Sequence, residues 1–236
     1  MRQSASHVLS ALKSTADPEK AVFYPRFFKT GKGEYGEGDR FLGVTVQKQR
    51  KIAKQFHDLP EPDIIALLES PYHECRLTGL FVLTSQFERA DESRRKQIVA
   101  LYLANIEHIN NWDLVDATAH KILGVYLANR DRSLLKELSE KDHLWSQRIS
   151  IIATLHFIKL DDYHETLSLA RTFLDHPHDL MHKAVGWMLR EIGNRDRETE
   201  ERFLRAHYRE MPRTMLRYAI EKLPQTRRKK YLAAKS

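Results

Sequence analysis

Only one cysteine, Cys75, occurs in 236 residues. A lone thiol forms no internal disulfide framework and no multi-cysteine zinc site, and it fits a reducing compartment such as the cytoplasm. No stretch approaches the roughly 18 consecutive apolar residues that a membrane-spanning helix needs. The opening segment, Met1 to His7, lacks the apolar core of a secretory signal, so no membrane role is expected. Twelve histidines are present, yet no H-E-x-x-H and no clustered carboxylates accompany them, so metal-dependent hydrolysis is not expected. The glycines from Gly31 to Gly38 do not make a P-loop, which argues against nucleotide-triphosphate chemistry.

What is present points to a folded, charged, basic chain. Apolar residues make up 42% and charged residues 30%, a balance that supports a buried core rather than disorder. Lys plus Arg exceed Asp plus Glu by 39 to 32, giving a net charge of +7 and a pI near 9.4. Such a surface favours a polyanionic partner, with nucleic acid ahead of a membrane surface.

Apolar spacings of three and four residues dominate, and sustained alternation is rare, so the chain reads as all-α. Asp17-Pro18-Glu19 predicts a helix start, with a capping acid and proline in the first turn. Thr30 to Asp39, with four glycines, predicts a loop. Helices are predicted over 46–56, 62–69, 74–87 and 93–106. Aligning the second helix of each pair puts Arg76, Asp116, Arg148, Lys183 and Arg213 in register, at spacings of 40, 32, 35 and 30 residues. Seven positions on stand Leu83, Leu123, Leu155, Arg190 and Ile220, four of them apolar. These periods match two-helix repeats that stack because no pair buries its own apolar face. The expected architecture is one HEAT-like helical-repeat solenoid over 1–236, an α-α superhelix with a basic concave groove and a short basic tail at about 225–236.

The register position is charged five times over, which a core stripe does not tolerate without partners. We therefore expect it to face the groove, with Arg76, Lys183, Arg190 and Arg213 as contacts to a phosphate backbone. A solvated charged face accounts for the same residues. Asp116 is the acidic exception. It either pairs with Arg148 or stabilises positive charge on a sugar as a glycosidic bond breaks. Trp112 lies one turn before Asp116, and Trp187 one turn after Lys183, so each indole shares a helical face with a register charge. Such indoles pack in a core or offer flat surfaces to a sugar or a cationic base. Trp145, three residues before Arg148, is assigned to packing.

Four segments carry a resemblance: YPRFFKTGKGEYGEGDRFLGV, NNWDLVDATAHKILG, LWSQRISIIATL and LMHKAVGWMLREIGN. Over about residues 17 to 223 the chain resembles the DNA alkylation repair glycosylases of the AlkD type, a family of HEAT-like repeat proteins. The resemblance implies a monofunctional glycosylase that releases cationic N3- or N7-alkylated purines (3-methyladenine, 7-methylguanine) from duplex DNA in base excision repair. It implies no metal or organic cofactor and no lyase step, in a monomer that is cytoplasmic and joins the nucleoid when on DNA. It assigns function to Trp112, Asp116, Arg148 and Trp187. It also implies chemistry at the sugar and backbone without a deep pocket for the damaged nucleotide. Two positions depart from the pattern: Asn111 stands where a second tryptophan is expected, and Phe27, a candidate DNA contact, where a tyrosine is. A non-catalytic binder of damaged or branched DNA and a protein-interaction solenoid are the alternative readings of the same scaffold.

Overall fold

In the computed structural model, which describes residues 3–233, helices account for nearly all regular structure. Arg40 and Tyr72 form an isolated parallel bridge, and no strand forms among the described residues. The expected all-helical class holds. No described helix is long and apolar enough to cross a membrane. Contacts cluster into two compact units, Met1–Thr118 and Ala119–Ser236.

The first unit contains α1 (Ala5–Lys13), α2 (Pro18–Phe27), α3 (Val46–Gln55), α4 (Glu61–Leu68), α5 (His73–Arg89), α6 (Glu92–Ala104) and the start of α7 (Trp112–Ala119). The boundaries follow the sequence signals to within a residue or two. Asp17 caps α2 by accepting from the Lys20 N–H, as its position before Pro18 predicts. The glycine-rich stretch at 30–39 is irregular. Helix α5 is the axis of this unit. It packs on α1, α3, α4 and α6, and its buried side chains run all round the helix, from His73 to Phe87. A helix apolar on one stripe only could not serve four neighbours.

Helix α7 continues into a π turn at His120–Gly124 and then α8 (Val125–Leu127). The second unit adds α9 (Ser133–Ser139), α10 (Leu144–Ala153), α11 (Leu155–Ile158), α12 (His164–Thr172), α13 (Asp179–Arg195), α14 (Arg197–His207), α15 (Arg213–Ala219) and α16 (Gln225–Ala233). Its axis is α13, which packs on α10, α12, α14 and α15. Gly186 lets α13 approach α15 closely, because a Cβ there would lie 2.4 Å from the Met215 carbonyl oxygen. The residues expected to be apolar one period beyond the register, Leu83, Leu123, Leu155 and Ile220, are all buried.

The expected basic tail is helical instead. Arg227 of α16 pairs with Glu201 of α14, and the rings of Tyr231 and Tyr208 meet edge to face at 5.5 Å. The charge run is thus part of a helix held against α14, and residues 234–236 lie outside the described residues.

Candidate active site

The first unit encloses a cavity of about 430 Å³ lined mainly by rings. Tyr24, Phe27 and Phe28 reach it from the end of α2, Phe41 from the loop, Phe81 from α5 and Trp112 from α7. Trp112 stacks on Phe28 with centroids 5.6 Å apart and an 18° interplanar angle. Phe27 meets the same indole edge-on at 5.8 Å. Asp116, one turn on from Trp112, lines the same cavity. The four-residue spacing of aromatic and acid therefore places both on one face, as helical geometry requires.

The start of α7 is held in two ways. Asn111 is fully buried, and its side-chain oxygen accepts from the Trp112 N–H. Asn111 thus ties its side chain to the first backbone N–H of the helix. The second support is His73, at the start of α5 and 2% exposed. It donates from Nδ1 to Asp39 at 2.9 Å and from Nε2 to Asp113 at 2.8 Å. Burial opposes its charged form, but the charge of Asp113 and the hydrogen bonds to Asp113 and Asp39 outweigh this and lift its pKa from 6.5 to about 9. It is therefore an imidazolium at neutral pH, joining α5, the loop and α7.

Arg76 completes this network, and its position corrects an expectation. Anticipated as an exposed phosphate contact, it is 4% exposed, paired with Asp39 and donating to the Ser70 carbonyl at 3.0 Å. Burial raises the pKa of Asp39, but the hydrogen bond from His73 and the charge of Arg76 bring it below the usual value. A buried charge needs partners, and Asp39 of the loop and the Ser70 carbonyl supply them from outside the helix, which residue spacing does not reveal.

The loop is itself bolted to α5. The buried Glu74 carboxylate accepts from the backbone N–H groups of Leu42, Gly43 and Val44 at 2.8 to 3.1 Å. Gly43 has φ +79°, and a Cβ there would lie 2.0 Å from the Asp17 carbonyl oxygen. Only glycine lets the chain pass this close to the start of α2.

In the second unit, Arg148 of α10 is 4% exposed and donates to the Leu180 carbonyl at the start of α13. Like Arg76, it does not lie on an open face as the register had predicted. Trp187 of α13 is half-buried, its indole N–H donating to Glu191 at 2.9 Å. Lys183 pairs with Asp179 at 2.7 Å, Arg190 pairs with Glu221, and Arg213 is exposed. Trp145 is 5% exposed and packs, as assigned. Among the described residues, no three His, Cys, Asp or Glu side chains group as a metal site.

A model of the DNA alkylation repair enzymes matches residues 8–223. The chain belongs to the DNA alkylation repair enzyme family. The match spans every residue of the candidate site. A solved structure titled as a predicted DNA alkylation repair enzyme from Enterococcus faecalis superposes with a TM-score of 0.68 at 15% identity, covering 89% of this chain and 98% of that one. At that identity the likeness concerns the fold, and the helical-repeat architecture is shared. No curated protein matches the chain. Of the residues singled out from the sequence, Trp112, Asp116 and Phe27 line the cavity; His73, Asp113, Phe28 and Phe41, which line it too, and Asp39, which pairs with His73, were not among them. The available signal was local density: Phe23, Tyr24, Phe27 and Phe28 fall within six residues, more rings than one buried stripe of a short helix accommodates.

Proposed function

We propose that this repair enzyme is a monofunctional DNA glycosylase that hydrolyses the N-glycosidic bond of cationic N3- and N7-alkylpurines in duplex DNA. The observation that carries this reading is the placement of Asp116 and Trp112 on the wall of one ring-lined cavity. Alkylation makes the purine a cation, so it leaves as a neutral base and takes the bonding electron pair with it. No acid is needed for that departure. The deoxyribose is left with oxocarbenium character, which the Asp116 carboxylate stabilises electrostatically. Water then adds to the anomeric carbon and gives up a proton, leaving an abasic site. In this reading Asp116 orients that water, Trp112 packs against the sugar and Trp187 of the second unit contacts the DNA. Lys183, Arg190, Arg213 and Phe27 contact the duplex. The partner is double-stranded DNA carrying alkylated purines, met by a cytoplasmic monomer.

The test is release of free 3-methyladenine and 7-methylguanine from methylated duplex DNA. Wild type should release them, and Asp116→Asn should reduce the rate by about two orders of magnitude or more, the scale of losing a transition-state electrostatic contact. Binding of alkylated duplex without release would establish the non-catalytic alternative. Release by Asp116→Asn at the wild-type rate would remove Asp116 from the chemistry.

A further inference from the structure

Arg76 and Arg148, the register cations expected to meet a phosphate backbone, are both buried, and a different helix carries the free positive charge of the first unit. Helix α3 holds four cations, Lys48, Arg50, Lys51 and Lys54, and no acid. All four are exposed, and among the described residues none of them pairs with a carboxylate. Cations of the neighbouring helices differ: Lys20 of α2, Arg76 and Arg89 of α5 and Arg94 of α6 each meet an acid. Along α3, Lys48 and Lys51, Lys51 and Lys54, and Arg50 and Lys54 stand three or four residues apart, where like charges repel across one turn. Lys48 also lies in the first turn, where the helix dipole favours an anion. The helix has no acid of its own to relieve these repulsions, and a polyanion laid against it would relieve them all.

The exposed positions of α3 form one continuous arc, from Val46 through Arg50, Lys54 and Lys51 to Lys48. At one edge of that arc, Val46 lines the cavity that Asp116 and Trp112 also line. Arg50 is seated there, its guanidinium carbon 4.8 Å from the centre of the Phe81 ring, which is part of the same cavity wall. Stacking of this kind fixes the guanidinium plane and leaves its N–H groups to donate sideways. At the other edge, a groove of about 310 Å³ runs between α3 and α1, lined by Lys48, Lys51 and Gln55 with Ser14 and Thr15 of α1. Lys48 is held in place by donating from Nζ to the Thr15 carbonyl at 3.2 Å, which uses one of its three protons. We propose that α3 is a phosphate seat for one strand of the duplex, with Arg50 and Lys54 on phosphates at the cavity edge and Lys48 and Lys51 on phosphates at the groove against α1. The seat rests on the proposed repair function for DNA as the polyanion, and it does not require base release. Contacts of this kind carry no base preference and fix where the duplex lies, here beside the wall from which Asp116 would act on a sugar.

The probe is an undamaged, fluorescently labelled DNA duplex, titrated with the full chain by polarisation at salt concentrations from about 50 to 200 mM. Each phosphate contact contributes about 0.9 to the slope of log affinity against log salt. The variant Arg50→Gln/Lys51→Gln/Lys54→Gln should therefore lower the slope by about 2.7, and Lys51→Gln/Lys54→Gln, which spares the stacking on Phe81, by about 1.8. Both variants change exposed side chains, and their melting curves should match that of wild type. The control, Lys96→Gln/Lys136→Gln/Lys141→Gln, removes the same charge from exposed lysines elsewhere and should leave the slope within about 0.5 of wild type. An unchanged slope in the α3 variants overturns the seat. So does an equal fall in the control, which would assign the effect to net charge. Base release by a wild type whose slope does not depend on α3 would remove the seat and leave the glycosylase reading standing. A slope that depends on α3 in a wild type that releases no base would uphold the seat and remove the glycosylase reading instead.

Discussion

His73 makes the stability of the first unit depend on pH in a direction opposite to that of most buried histidines. A buried imidazole without partners is held neutral and resists protonation. Here Asp113 and Asp39 reverse the outcome, raising the pKa from 6.5 to about 9. Because the folded value lies above the unfolded one, the folded state retains the proton more tightly. The resulting stabilisation is fully present below 6.5 and is lost as pH rises through 9. The gap between the two values corresponds to about 3 kcal/mol, a substantial share of a stability of roughly 5–15 kcal/mol. The check is urea unfolding of wild type and His73→Gln, followed by far-UV circular dichroism across this range. Glutamine donates a hydrogen bond but carries no proton to lose. The stability advantage of wild type over the variant should shrink by about 3 kcal/mol between the two pH limits. An advantage that stays constant with pH would show that His73 is not a retained imidazolium, and the account of how α7 is anchored would fall with it.

Two further substitutions test the framework around the cavity and the second unit. Gly43→Ala forces a side chain into a left-handed backbone and against the Asp17 carbonyl, and should lower Tm by about 5 °C or more in a thermal melt; an unchanged Tm would mean the loop moves freely off α2. Glu200 of α14 is buried, and burial raises its pKa from 4.5 to about 7. The folded state therefore favours the protonated acid, an advantage lost as pH rises through 7. Glu200→Gln should stabilise the chain above pH 7 by about 1–3 kcal/mol and have little effect at pH 4.5. Equal effects at both limits would contradict the shift.

The periodic parts of this fold were legible because period is written into a single helix. Trp112 and Asp116 could be paired on one face from their spacing alone, and Leu83, Leu123, Leu155 and Ile220 could be assigned to the core from their place in the register. Arg76 and Arg148 fail for the same reason that these succeed. Helical spacing says which side chains share a face, but not what a loop or a helix start brings to that face. Asp39, 37 residues before Arg76 in the sequence, is what turns an apparent phosphate contact into a buried ion pair. The Leu180 carbonyl does the same for Arg148.

The network at the start of α5 also explains how several acids are held close together at this cavity wall. Asp113 sits next to Trp112 and three residues before Asp116, and without a counter-charge it would repel the phosphates of an approaching duplex. His73 neutralises it across 2.8 Å in a buried setting where salt screens poorly. Asp39 is balanced in turn by Arg76 and His73, and Glu74 is occupied by three backbone N–H groups. Asp39, Asp113 and Glu74 are thus each answered within the first unit. Because Phe28 and Phe41 pack on the same imidazole at 4.6 and 5.1 Å, the residue that balances these charges also sets the plane of the rings. Replacing His73 should therefore disturb the ring-lined wall and the electrostatics together.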